Sequence, residues 1–195
     1  MKIIDISQEL LSCKVYEGDP EPMLEPLRSM NNGDLYNLSA LSLCLHNGTH
    51  IDAPRHFIKN GMTMDEIPIS TLVGVCYVAE HQGDVTAEDA KEVLRKARAA
   101  EAGERILLKG DLTVTEEAAK AFSEGGILLL GNEGQTVGPE DAPMAVHLIL
   151  LSKEIILLEG IVLDDVHEGK YLLSAAPLNI RGAEGSPCRA WLMEL

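Results

Sequence analysis

A chain of 195 residues with 46% hydrophobic and 24% charged residues has the usage of an ordinary globular protein, and residues 1–195 are expected to form one domain. A formal charge of -15 and a pI near 4.7 repel phosphate backbones and anionic lipid, so neither nucleic acid nor an acidic membrane is expected as a partner. No run approaches the roughly 20 apolar residues of a membrane helix, the opening MKIIDISQELLS does not read as a signal peptide, and Cys13, Cys44, Cys76 and Cys188 are scattered without a C-x-x-C pair, so a cytoplasmic protein with reduced thiols is expected.

Residues 2–7 and 38–46 read as strands, with a turn-rich stretch between them marked by Gly18-Asp-Pro and Asn31-Asn-Gly-Asp. In Leu41-Ser-Leu-Cys-Leu45 the leucines alternate with Ser42, Cys44 and His46, which predicts that His46 leaves a strand end pointing away from a leucine core. Val75–Ala79 is strand-like. Thr86 then caps a helix in which Ala90, Val93, Leu94 and Ala97 recur at helical spacing. Ile106–Leu108 reads as a strand, Thr115 opens a helix through Phe122 closed by Gly125-Gly126, and Ile127–Leu130 reads as a strand covered on both faces. After a polar loop from Gly131 to Gly138, Asp141 is expected to cap a helix with Pro143 in its first turn, running to about Leu151. Strands are expected at Ile155–Leu158, Tyr171–Ala175 and Arg189–Met193. Alternating strands and helices make this an α/β domain.

Chemistry concentrates between His46 and His56. Three of the six histidines lie in these eleven residues, and His46, His50, Asp52 and His56 all sit at even offsets, on one face of an extended chain. On a straight strand His46 and His50 would be about 13 Å apart at ~3.3 Å per residue, too far for one ion, so Asn47-Gly48 must bend the chain. His50 and Asp52 could reach one metal without a bend. Imidazole nitrogen with carboxylate oxygen suits zinc, manganese or ferrous iron better than calcium or magnesium.

Downstream, Glu159 interrupts Ile155–Leu158 and Ile161–Leu163, and a carboxylate in such a run is costly to bury unpaired. A metal would resolve that cost; so would a strand end that reaches water beside Gly160. His147, in Ala-Val-His-Leu-Ile-Leu-Leu, fits a hydrogen-bonded core histidine as well as a ligand. No G-x-S-x-G nucleophile elbow and no G-K-[ST] phosphate loop occurs in the chain.

The segment HNGTHIDAPRH resembles the H-x-G-T-H-x-D-x-P-x-H signature of the cyclase-type metal-dependent hydrolases, a family that includes bacterial kynurenine formamidases and isatin hydrolases. Asp5-Ile-Ser-Gln, Gly18-Asp-Pro, Pro177-Leu-Asn-Ile-Arg-Gly182 and Gly185-Ser-Pro-Cys-Arg-Ala190 extend the resemblance toward both ends of the chain. It implies an α/β fold of the swivelling type with a mixed central sheet, a homodimer or homotetramer, and one or two divalent ions, zinc or manganese. It also implies that His46, His50 and Asp52 bind metal, that Asp52 can bridge, and that His147 and Glu159 complete a second position. His56 then stands as catalytic base and acid, at an imidazole that titrates in the working range.

The implied substrate is a small amide, formamide or lactam. The family's formamidases often carry Trp where Tyr16 stands and a D-[ST]-x-S-like stretch where this chain has Asn132-Glu133-Gly134-Gln135, so Tyr16, Asn132 and Glu133 are expected near the substrate. Ring opening of a cyclic imide or lactam is the alternative reaction. A relative that keeps the metal site without catalysis is the alternative of another class.

Overall fold

The computed structural model describes residues 2–195. In chain order its strands and α-helices are β1 (Ile3–Asp5), β2 (Met23–Arg28), β3 (Leu38–Ser42), β4 (His50–Asp52), α1 (Ile69–Leu72), β5 (Val73–Glu80), β6 (Gly83–Val85), α2 (Ala87–Ala99), β7 (Arg105–Lys109) and β8 (Leu112–Val114). There follow α3 (Glu116–Glu124), β9 (Leu129–Asn132), α4 (Met144–Leu151), β10 (Ile156–Glu159), β11 (Gly169–Ser174), β12 (Gly185–Pro187) and β13 (Trp191–Glu194). Nine strands form one curled mixed sheet in the order β1-β13-β11-β5-β7-β9-β10-β4-β12. The four central strands β5, β7, β9 and β10 are parallel, and the flanking pairs are antiparallel.

Strand periodicity divides the core in two. Tyr77, Ala79, Ile106, Leu108, Leu130 and Leu157 point to the face covered by α2, α3 and α4, where they meet Ala90, Leu94, Phe122, Val146 and Leu150. Their neighbours Cys76, Val78, Leu107, Leu129, Ile156 and Leu158 line the inside of the curl with Ile4, Ile51, Tyr171 and Leu192. Both faces are therefore dry, which is why these strands read as continuous apolar runs.

The helix starts agree with the capping chemistry. Asp89 N–H donates to the Thr86 hydroxyl while the Asp89 carboxylate accepts from Thr86 N–H, and Ala118 N–H donates to the Thr115 hydroxyl. The start of α4 differs from expectation: Pro143 is its cap, and Asp141 lies two residues earlier, outside the helix.

The largest difference lies in residues 38–46. Strand β3 ends at Ser42 and pairs only with β2, in a two-stranded ribbon outside the main sheet. Every residue of both strands is exposed, Leu41 at 49%. Of the alternating leucines Leu41 therefore faces no core within this chain, while Leu45, beyond the strand, packs at the edge of the inner cluster. His46 sits in a turn, because the Asn47 side chain accepts from Cys44 N–H (2.8 Å) and ends the extended run.

Phe122 is fully buried where α3 meets the sheet. Phe122→Ala is expected to destabilise the fold by about 3–5 kcal/mol, read from denaturant unfolding.

Candidate metal centre

Strand β4 is held between β10 and β12, with His50 opposite Glu159 and Asp52 opposite both Leu157 and Gly185. Two residues apart, His50 and Asp52 share a face, while Ile51 turns into the other core cluster. That face also carries Leu157 and Glu159, and α4 packs over it, bringing His147 down onto the two carboxylates. His46 arrives from the preceding turn.

The bend expected at Asn47-Gly48 is present. Gly48 has φ of +62°, in the left-handed region that glycine enters without cost, and Asn47 is buried and donates to Pro20 O (3.2 Å). The bend is tied down across the sheet: the Thr49 hydroxyl donates to Gly160 O (2.6 Å) and accepts from Gln8 N–H (2.9 Å), and Gln8 Nε2 also donates to Gly160 O (2.8 Å). Gly160 follows Glu159 at φ +67°, and a Cβ on it would lie 2.5 Å from Gly48 O. Only two glycines allow this approach.

Five side chains converge. His46 Nδ1 lies 2.8 Å and His50 Nε2 3.4 Å from Asp52 Oδ1; His147 Nε2 lies 3.5 Å from Asp52 Oδ2 and 3.3 Å from Glu159 Oε1; His50 Nε2 lies 3.5 Å from Glu159 Oε2. They form two candidate ligand triads that share Asp52: His46, His50 and Asp52, and Asp52, His147 and Glu159. His50 Nδ1 donates to Gly48 O and His147 Nδ1 to Pro143 O, both at 2.9 Å, which leaves each Nε2 facing the carboxylates as an acceptor for a cation.

The electrostatics ask for positive charge. Burial opposes ionisation of Asp52, yet the facing imidazoles of His147, His46 and His50 hold its pKa well below the usual carboxylate range. Glu159 is also lowered, with burial and Asp52 working against it and His147 and His50 for it. Burial likewise opposes protonation of the imidazoles, but Asp52 and Glu159 outweigh it, pushing His147 up to about 10 and raising His50 well above its ordinary value. Asp52 Oδ2 and His46 Nε2 are buried without a hydrogen-bond partner. A donor set of three imidazoles and two carboxylates, with orphaned atoms in it, fits a divalent transition ion.

A cavity of about 250 Å³ opens onto this cluster. His56 lines it from the 3₁₀ turn Pro54–His56, its ring centroid 4.1 Å from that of His46, and its ring has no hydrogen bond to the described residues. Phe57 and Pro143 supply apolar wall. Tyr16 lines it too, its hydroxyl donating to Glu140 O (2.7 Å). Asn132 and Glu133 do not. Asn132 Nδ2 donates to Thr136 O (2.9 Å), and the Glu133 carboxylate accepts from Gly110 N–H and Leu163 N–H, both at 2.8 Å, clamping the ends of β7 and β10. Their neighbours Gln135 and Thr136 face the cavity instead, with Asp19. The available signal was topological: this loop follows the carboxyl end of parallel strand β9, where α/β sheets place their ligands.

The Cyclase family model, described as "Putative cyclase", matches residues 4–158. The chain belongs to the cyclase family. A kynurenine formamidase of Bacillus anthracis is 35% identical over 205 residues, covering 97% of this chain and 96% of that protein. A kynurenine formamidase of Salinibacter ruber is 31% identical over 208 residues, covering 100% and 98%. Among solved structures, isatin hydrolase A of Labrenzia aggregata superposes with a TM-score of 0.84 at 22% identity, covering 98% of this cyclase-family chain and 93% of its own.

Because His50 and His147 are held protonated by the carboxylates, an incoming cation must displace protons. Metal affinity should weaken as pH falls, and uptake of zinc or manganese near neutral pH should release protons, seen in calorimetry as a heat that varies with the buffer's ionisation enthalpy. Thr49→Val, which removes the tie to Gly160, should lower metal affinity by about 10–100-fold.

Proposed function

We propose that this cyclase-family protein hydrolyses the C–N bond of a small amide, of the formamide or lactam kind. In this reading a divalent cation, zinc or manganese in one or two copies, is held by His46, His50, Asp52, His147 and Glu159, and His56 carries the proton. The observation that supports it best is the convergence of five metal-competent side chains, four of them lining one cavity with Asp52 behind, beside one imidazole that makes no hydrogen bond to the described residues. The relatives named kynurenine formamidase support a non-peptide C–N bond as the target.

A divalent cation held there would polarise a carbonyl and bring the ionisation of water down to about neutral pH. The protein's own residues do the rest. Burial, then the facing His46 and His147, lower the pKa of His56 against the pull of Asp52 and Glu159, so its ring is neutral at physiological pH and ready to accept a proton. His56 takes that proton from the water that adds to the acyl carbon and returns it to the departing nitrogen as the C–N bond breaks, so the water's oxygen ends in the carboxylate. Phe57 and Pro143 limit the water that reaches the ring.

The acidic limb of the pH–rate profile should have its midpoint below 6.5, because a lowered His56 pKa delays its protonation until more acid pH. His56→Ala should reduce kcat by about 10²–10⁴-fold while elemental analysis finds the metal content unchanged. Purified protein without bound metal, and without hydrolysis of formamides or lactams on adding zinc or manganese, would overturn the reading.

We also propose a homodimer or homotetramer in the cytoplasm. The four cysteines are free, as a reducing compartment would keep them, and no described helix is long and apolar enough to cross a membrane. The β2–β3 ribbon and its connection expose Met23, Leu24, Leu27, Leu35, Leu38 and Leu41 together, more apolar surface than an isolated two-stranded ribbon leaves to water. Light scattering should give a multiple of the chain mass, and Leu24→Glu with Leu41→Glu should shift the protein to monomer.

A further inference from the structure

The metal cavity is not a closed chamber. Tyr16 and Gln135 line both it and an outer cavity of about 610 Å³, so a substrate too long for the inner space must pass these two side chains. Gln135 and Thr136 are each more than nine-tenths buried, yet Gln135 Oε1 and Thr136 Oγ1 have no hydrogen-bond partner. Around them Asn132 Nδ2 bonds Thr136 O, Gly160 N–H bonds Gly134 O and Val137 N–H bonds Glu159, while Asn132 Oδ1, also without a partner, belongs to a residue that does not line the cavity. Two buried polar groups left open beside the reacting site are placed for a ligand.

The charged side chains around that passage are acids but for one lysine. Asp19 lines the inner cavity, and Glu17, Glu140 and Asp141 line the outer one. Lys14 is the one Lys or Arg among the lining residues, and it is paired with Glu140 at 3.0 Å. At the centre itself, cationic charge is offset by Asp52 and Glu159. A substrate carboxylate in that passage would meet acids, with no unpaired Lys or Arg among the lining residues to receive it.

We infer that Gln135 and Thr136 are the substrate-recognising pair, that they bind a neutral amide-like edge beyond the scissile bond, and that the passage selects substrates whose distal end is uncharged or cationic over those bearing a carboxylate. A primary amide and a hydroxyl each offer both a donor and an acceptor, which matches an amide or ureide edge and leaves an anion uncompensated. The inference rests on the hydrolase reading and narrows its substrate class.

The test uses the metal-loaded protein and three phenylformamides that carry a carbamoylmethyl, aminomethyl or carboxymethyl group on the ring. Both kcat/KM and equilibrium binding by calorimetry are measured for each. The carbamoylmethyl and aminomethyl compounds should exceed the carboxymethyl one by about tenfold or more in both. Gln135→Arg should reverse the order in favour of the carboxylate, and Gln135→Leu should remove the carbamoylmethyl advantage through KM, with Gln135→Asn restoring part of it. A variant that merely misfolds lowers all three together and cannot reorder them. Equal or better use of the carboxymethyl compound by the wild type, or an order that Gln135→Arg does not change, overturns the inference. Binding in the expected order without hydrolysis overturns the hydrolase reading and leaves the inference standing. Hydrolysis without preference does the reverse, and absence of both binding and hydrolysis overturns both.

Discussion

Two carboxylates, Asp52 and Glu159, lie almost wholly buried on adjacent antiparallel strands, and the arrangement around them answers that constraint. Neither can ionise there alone, because taking one charge out of water costs several kcal/mol. Three imidazoles crowd in to compensate, and the raised proton affinity of two of them, His50 and His147, records how strongly the pocket demands a cation. The pairing of β4 with β10 sets this up. Sliding one strand by a single residue would turn Ile51 or Leu158 into the cluster and send a carboxylate into the apolar interior of the curl.

From that constraint the supporting parts follow. The Asn47-Gly48 bend exists to bring His46 back over β4, and the Thr49, Gln8 and Gly160 hydrogen bonds fix the bend to the end of β10. Helix α4 is apolar on almost every side, as suits a helix pressed onto a sheet, and spends one buried position on His147. Glu133 holds the ends of β7 and β10 at their spacing. None of these groups except His147 touches the carboxylates, yet each restricts where a ligand atom can go.

Much of this was legible in the residues. Capping at Thr86 and Thr115, the apolar runs of the parallel strands and the even spacing from His46 to His56 each rest on local chemistry, and local chemistry is what a single chain states openly. The misplaced parts depend on partners far away in sequence. Leu41-Ser-Leu-Cys-Leu45 alternates as a half-buried strand does, but the strand ends at Ser42 and pairs only with β2, so Leu41 stays exposed and only Leu45, past its end, reaches a core. Within Asn132–Thr136 all the polar residues look alike as substrate contacts. Glu133 is withdrawn by Gly110 and Leu163, 23 and 30 positions from it, and that leaves the inward places to Gln135 and Thr136. Composition cannot anticipate such a choice.

The sharing of Asp52 between the two triads also bears on how the chain unfolds. The candidate ligands fall in two stretches, one ending at residue 52 and the other beginning at residue 147, so an ion held by Asp52, His147 and Glu159 would pin together the ends of a segment that holds β5, β7, β9, α2 and α3. Mechanically this is the work of a disulfide, which restricts the freedom of the unfolded chain most when the loop it closes is long. An organism that starved such a protein of metal would therefore lose more than turnover: a long loop would be unclasped, and its exposure to proteases would couple the protein's lifetime to metal supply.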